Sequence, residues 1–597
     1  MSSISERSEI SEEYKWDLAS IYSTDEEWEQ AYTDAKQQLE ELAEYEDIVT
    51  QDGETLLECL ELRDEVMRQV SMINAYARMR SDEDTRNQEY QALKSRGQSL
   101  YSEAQSVASF IEPAIQSLSR DRLDEMINET DGLETYDHYL DDVIRMKPHT
   151  RSAEVESLLS ELGEVLSAPG DIYSMLTNAD MTFPTVEKPD GTAVEISQAN
   201  FTTLLKNPDR EFRQTVHESF YEEMESVRNT IGTSLQNHIK KDVKVAQARN
   251  YETARQAALN DPNIPTEVYD NLVETVRNNL DKLHRHAELK ESNLGVDQLE
   301  MWDLYMPLTD SESPEVEYEQ AKEYVIAAME PLGDEYQERV ADGLESRWVD
   351  VYENKGKRSG AYSGGAYDTQ PFILMNYQDD ISSMYTLAHE LGHSLHSQFT
   401  SESQPYVYSS YETFVAEVAS TVNEALLTHH LLDSVEDPEF QRHVLNEYLE
   451  KFRSTLYRQT LFADFEHKIH TRVEEGEALT PDSLNEMYGE LKREFYEPAN
   501  IDEHITREWM RIPHFYYNYY VFQYSTGISA AIALVQQIFE EGEPAANRYL
   551  NFLQKGSREY PLELLRTAGV DMTTSDPIEA ALDEYADNLD EMASLID

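Results

Sequence analysis

Cysteine is almost absent from this chain. Cys59 stands alone, which excludes an intramolecular disulfide and any thiolate metal cluster. It falls in the series Cys59, Leu62, Val66, Val70, Ile73 and Ala77, whose spacing of three and four residues is that of one helical face, so a buried structural thiol is expected. Basic residues are scarce as well: 49 Lys and Arg stand against 118 Asp and Glu, a formal net charge of −69. Nucleic acid and anionic membranes are poor partners for such a surface. Long apolar runs are missing too. The best, ISAAIALV at 528–535, falls well short of the roughly 18 residues that span a bilayer. The opening stretch MSSISERSEISEEYKW has no basic segment followed by an apolar one, so no secretory signal is expected and the expected location is the cytoplasm.

A charge of this size drives a chain apart or marks it as disordered unless salt screens it. Disorder does not fit a sequence that is 40 % hydrophobic and 10 % aromatic, with 37 Tyr and 5 Trp. The composition instead suits a cytoplasm of multimolar salt, where the screening length falls to roughly 3 Å. Circular dichroism is therefore expected to show loss of helix or of cooperative melting as salt falls well below about 1 M. A melting temperature unchanged across that range would refute this reading.

At 597 residues the chain exceeds what one compact core organises, so two or more lobes are expected. From about Asp25 to Leu166 it reads as long, charged, amphipathic helices with few Gly or Pro breaks. Pro189-Asp190-Gly191 between two β-branched runs then signals a hairpin. Helical pattern resumes after Asn207-Pro208 and runs to about Leu294. This divides the chain into an N-terminal helical region, 1–200, and a second region, 201–597. Short β-prone pieces cluster at RWVDVY (347–352), GAYSGGAY (360–367) and PFILMNY (371–377), which predicts a small sheet with the Gly pair 364–365 in a turn. Helices return from Asp380 onward, one of them Tyr-rich near 514–525.

The stretch DDISSMYTLAHELGHSLHSQF opens on acidic residues suited to an N-cap and continues in helical period, so 381–399 is expected to be one helix. His389 and His393, at i and i+4, share a face and can close onto one zinc ion. Glu390 is rotated from them by about 100°, where it meets a water on the metal rather than the metal. His-Glu-x-x-His arises by chance in about one chain in twenty of this length and composition, so a third ligand is needed to give it meaning. His396 lies too far along the axis to join the same tetrahedron. It reads as a residue that supports the site or faces substrate, with a satisfied structural histidine as the other reading. The candidates further on are Glu402, Glu412, Glu417 and Glu424. Glu402 would have to fold straight back from the SESQP turn. Glu417 is embedded in an apolar face of Phe414, Val418, Thr421 and Ala425, where a carboxylate needs a partner. Glu424, two turns on, is placed to hydrogen-bond a ligand imidazole.

HELGHSLH with FVAEVAST downstream resembles the M3 family of zinc metallopeptidases, and the whole chain resembles its oligoendopeptidase F branch. KWDLASIY, GKRSGAYSGG, RIPHFYYNYYVFQYSTG, KGSREYPLELL and AGVDM, in that order, carry the likeness along nearly the full length. The resemblance implies one zinc per chain on His389, His393 and Glu417, with Glu390 as the catalytic glutamate. It implies a mainly α fold: two helical lobes around a deep channel that admits short unstructured peptides, with a small β-sheet beside a zincin-like HExxH helix. It also makes 1–200 a region of the oligopeptidase F N-terminal type and 201–597 the catalytic domain. One departure stands out. Thermolysin-like relatives place an Asp four residues after the ligand Glu, whereas this chain has Thr421, so the histidines must be supported differently.

The implied activity is zinc-dependent endopeptidase cleavage of short oligopeptides, Glu390 acting as general base toward a zinc-activated water. A related zinc carboxypeptidase is one competing reading, and a helical peptide-binding protein with structural zinc is another. The tetrahedral oxyanion needs donors besides the metal. In the family a histidine and tyrosines of the segment 514–524 serve substrate and transition state, which points to His514, Tyr517, Tyr520 and Tyr524; their spacing places the three tyrosines on one helical face. PFILMNY is read as an edge strand on which a peptide lies by backbone pairing.

Overall fold

The structure is a computed structural model, and it describes residues 4–309 and 313–596. Helices make up most of it, with five short strands in two small sheets. The described residues fall into two compact units, each built from three separate pieces of chain. The first comprises 4–147, 313–434 and 534–570, and the second 148–309, 435–533 and 571–596. No described helix is long and apolar enough to cross a membrane.

In the first unit the helices Asp25–Ala43, Gly53–Glu83 and Gln88–Ala108 start at Thr24, Asp52 and Asn87, whose side chains accept first-turn N–H groups. Their apolar faces bury Trp28, Leu39, Val66, Val70, Ile73 and Leu100 in one core, and Phe372 and Leu374 of a β-strand pack into it. Cys59 lies in a neighbouring core with Leu56, Leu60, Ile111 and Leu140. Burial pushes its thiol up to about 11, so it stays protonated and unreactive.

The hairpin of the second unit consists of β1 (Thr185–Glu187) and β2 (Ala193–Glu195), antiparallel. Gly191 takes φ +81° in its turn, and Asp190 Oδ1 accepts the Thr192 N–H at 2.9 Å. The sheet of the first unit has three strands, β3 (Val349–Tyr352), β4 (Tyr362–Gly364) and β5 (Phe372–Tyr377), in the order β3-β5-β4. β5 runs parallel to β3 and antiparallel to β4. PFILMNY is therefore the central strand and not an edge. Both of its backbone sides are engaged within the sheet, which leaves none for a peptide. Phe372 to Met375 are four consecutive buried side chains, the mark of a strand covered on both faces. The two edges are β3 and β4, and the three residues of β4 are all half-buried.

β5 leads directly into the helix Ile381–Ser403, capped by Asp380, whose side chain accepts the Ser383 N–H at 2.7 Å. The helix Thr413–Ser434 follows and packs along it. The two backbones come so close that a Cβ on Gly392 would lie 2.6 Å from the carbonyl oxygen of Ala419 and from the Cα of Ser420. Only glycine fits there. A hydrogen bond from Asn423 Nδ2 to the carbonyl of Ala388 at 3.1 Å fixes the register, and Tyr336 donates to Asn423 Oδ1 at 2.9 Å.

Candidate metal centre

The close helix pair brings two imidazoles and a carboxylate to one point. His389 and His393 stand one turn apart with their rings nearly perpendicular, centroids 4.8 Å apart. From the facing helix, Glu417 Oε2 lies 3.4 Å from His389 Nε2 and 3.6 Å from His393 Nε2. The three ligating atoms all fall within 4.8 Å of one another, the one such group among the described residues. Ligands about 2.0–2.2 Å from a tetrahedral zinc are separated from each other by roughly 3.3–3.6 Å. The donor set and its spacing therefore fit that ion, and the half-buried state of all three leaves a side open to water or substrate.

Neighbouring groups hold the set in place. Glu424 Oε1 sits 2.6 Å from His389 Nδ1, which fixes the ring so that Nε2 points at Glu417 and raises its basicity. This is the support that Thr421, in place of an aspartate, does not give. Ser420 donates its hydroxyl to Glu417 Oε2 at 3.0 Å. Glu390 is 7 % exposed. Burial raises its carboxyl above the ordinary range, against the opposing pull of His389 and of a backbone hydrogen bond from Ser363 on β4. A carboxyl tuned upward in this way suits a group that must accept a proton and release it again.

His389, His393, Glu390 and Glu417 line a cleft of about 670 Å³ within the first unit. Its opposite wall is Ala361 to Tyr367, the β4 strand and the glycine-rich turn after it, and Ser71, Tyr406 and Tyr411 add to the lining. The Ser363 and Ser394 hydroxyls, 2.8 Å apart, tie β4 to the metal helix. His396 does not reach the cleft lining. It is fully buried, its ring stacked on Tyr411 at 3.8 Å and within 3° of parallel, and burial pushes it down to about 3. It is a neutral histidine that backs the cleft-lining Tyr411, and its Nδ1 has no hydrogen-bond partner among the described residues, so it is not the satisfied structural histidine of the second reading. Glu402 pairs with Arg339 at 2.9 Å and is not part of the candidate metal group.

The tyrosine segment differs from the expected helix. Pro513–Tyr516 form a single tight turn, Asn518 and Tyr519 adopt left-handed φ of +47° and +55°, and the helix starts only at Phe522. Tyr517 and Tyr520 thus share no helical face with Tyr524. The rings still gather: His514 lies 5.6, 6.2 and 6.0 Å from Tyr517, Tyr520 and Tyr524. Tyr517 is 57 % exposed. Burial, with Arg458 adding to it, lowers the His514 imidazole below its ordinary value. This cluster belongs to the second unit, and the candidate metal ligands belong to the first. Sequence reasoning passed over Ser363, Tyr411 and Gly392. Only Gly392 left a local signal, a glycine inside a helical pattern.

Comparison with known proteins adds the following. Residues 203–584 match the model of peptidase family M3, and residues 115–183 match that of oligopeptidase F. Oligopeptidase PepF of Bacillus subtilis is 44% identical over 99% of this chain and 88% of its own length. Group B oligopeptidase PepB of Streptococcus agalactiae is 40% identical over 99% and 98%. Among solved structures, that of a putative peptidase from Chlamydophila abortus superposes with TM-score 0.91 at 33% identity, covering 99% of this chain and 100% of the other. That of oligoendopeptidase-F from Enterococcus faecium gives 0.74 at 38%, covering 96% and 99%.

Proposed function

The chain belongs to peptidase family M3, in the oligopeptidase F branch, and is a metallopeptidase; from that premise we propose that it hydrolyses internal bonds of short unstructured oligopeptides with one zinc held by His389, His393 and Glu417. The observation that carries the reading is the convergence of those three ligand atoms beside a buried, upward-tuned Glu390 on one cleft. Bound zinc supplies an acidified water and polarisation of the scissile carbonyl. Glu390 takes the proton of the attacking water and returns it to the leaving amine. β4, an edge strand whose residues line the cleft, is proposed to receive an extended peptide by backbone pairing. Glu424 and Ser420 keep the ligand atoms aimed. His514 with Tyr517, Tyr520 and Tyr524 is proposed to bind substrate or stabilise the oxyanion. A cytoplasm of high salt is the proposed setting.

End-blocked peptides test the substrate class. Internal cleavage of peptides acetylated and amidated at their ends is the expected result; no cleavage of these, with release of C-terminal residues from unblocked ones, would place the protein among carboxypeptidases instead. The tyrosine cluster is tested by the three Tyr→Phe variants and His514→Phe. A hydroxyl that acts in the transition state lowers kcat and kcat/KM together, by roughly 10²–10³, while zinc content and melting stay as in the wild type. Near-normal kcat in all four would assign oxyanion support to zinc and the 360–367 loop.

A further inference from the structure

Several buried or half-buried carboxylates of the second unit are held by strong cations. Glu508 lies between Arg458 and Lys492, Glu450 between Arg453 and Lys290, and Asp303 between Arg210 and Arg213. Those are ion-pair nodes that tie helices together. Glu466 is different. It is 0 % exposed, on the helix Arg458–Glu474, and its Oε1 accepts the backbone N–H of Tyr519 at 2.6 Å. Its Oε2 has no hydrogen-bond partner among the described residues. The charged groups that face it are His470 and Asp242.

Tyr519 is the buried residue of the turn 517–520, and it holds a backbone conformation that side chains other than glycine rarely adopt, directly after Asn518 in the same conformation. Two consecutive left-handed residues persist only where the surroundings impose them. Here the ring of Tyr519 is wedged against His470 and Tyr269, centroids 4.6 and 5.6 Å away, and its hydroxyl lies 3.4 Å from His467 Nδ1. The N–H is taken by Glu466. The turn is therefore pinned at one residue by ring and backbone together, and the residues on either side of the pin are Tyr520, half-buried, and, one further, the exposed Tyr517.

We infer that Glu466 is a positioning residue for peptide hydrolysis: by accepting the Tyr519 N–H it imposes the left-handed turn that sets Tyr517 and Tyr520 for their work on substrate. The inference rests on the proposed role of that tyrosine cluster. Burial raises the Glu466 carboxyl to about 7, so a neutral side chain with the same acceptor oxygen is a fair replacement for it.

The test uses the full zinc-loaded chain and the variants Glu466→Gln, Glu466→Leu and Glu466→Asp. Gln keeps the acceptor, Leu removes it, and Asp draws it back by one methylene, so that a non-folding Leu variant leaves a second reading. Hydrogen exchange of the segment 514–521 reports positioning independently of activity. Exchange is expected to quicken at least tenfold in the Leu and Asp variants relative to other segments, and to stay near wild type in Gln. In the same variants kcat is expected to fall at least thirtyfold with KM within about threefold, and Gln is expected to keep kcat within threefold. Combining Glu466→Leu, or Glu466→Asp, with Tyr517→Phe and Tyr520→Phe should add little further loss. Unchanged exchange in Leu and Asp, or losses that simply multiply with those of the tyrosines, would overturn the positioning role. Quickened exchange with normal kcat in the Glu466 and tyrosine variants alike would instead show that the cluster has no part in the reaction, and with it that the anchor serves none.

Discussion

Glu390→Gln is expected to lower kcat by at least about 10³-fold while zinc content and peptide affinity stay near those of the wild type. General acid–base catalysis is worth roughly 10²–10⁴, and Glu390 is assigned both halves of it, taking the proton and giving it back. A thousandfold loss corresponds to about 4 kcal/mol of transition-state stabilisation. Glutamine is the informative replacement. It retains an oxygen for the Ser363 backbone hydrogen bond and nearly the same volume in a site that is 7 % exposed, so the fold has little reason to change. Retention of a tenth or more of wild-type turnover would sink the assignment.

Removal of the carboxylate ligand is expected to act on the metal itself. Glu417→Ala takes away the atom that lies 3.4 and 3.6 Å from the two imidazoles and with it the negative charge among the three ligands. Zinc affinity should collapse, and activity with it. Glu424→Gln is the graded companion: replacing the carboxylate that holds His389 Nδ1 at 2.6 Å is expected to weaken zinc about 10–100-fold, the usual range for loss of a partner that orients a ligand. Activity in this variant should return as zinc is raised, which it should not do in Glu390→Gln. Full zinc occupancy in Glu417→Ala would point to another ligand.

How much of this was legible depended on the range of the interaction. His389 and His393 are one turn apart on a single helix, so their pairing is a local fact of spacing. Glu417 was a candidate as a carboxylate set in an apolar face, and Glu424 from its place two turns on, both by helical period; the structure leaves Glu417 half-buried and faces it to the two imidazoles. The strand order was not. Which of three short strands takes the centre depends on pairing between segments far apart in sequence. Yet the run Phe372 to Met375, apolar at four successive positions, already favoured a central strand over an edge. The tyrosine segment misled for a different reason. Intervals of three and four suggested helical period, but Pro513 before it and Asn518 within it favour a turn, and the tertiary contacts of Tyr519 decide in favour of that turn. For His396 the outcome rests on Tyr411 and Phe552 lying against it, and no local pattern carries that. The division at residue 200 stays a proposal about sequence modules; the compact units are each assembled from three pieces of chain.

Zinc content measured alongside activity, on one preparation, tests the central claim most directly. The purified chain is analysed for metal by mass spectrometry, dialysed against chelator in high salt, then titrated with zinc while cleavage of an end-blocked peptide is followed. One zinc per chain, activity lost in proportion as zinc is removed, and activity regained with a break at one equivalent are the expected results. Undiminished cleavage by protein holding less than a tenth of an equivalent of any divalent metal would contradict the account.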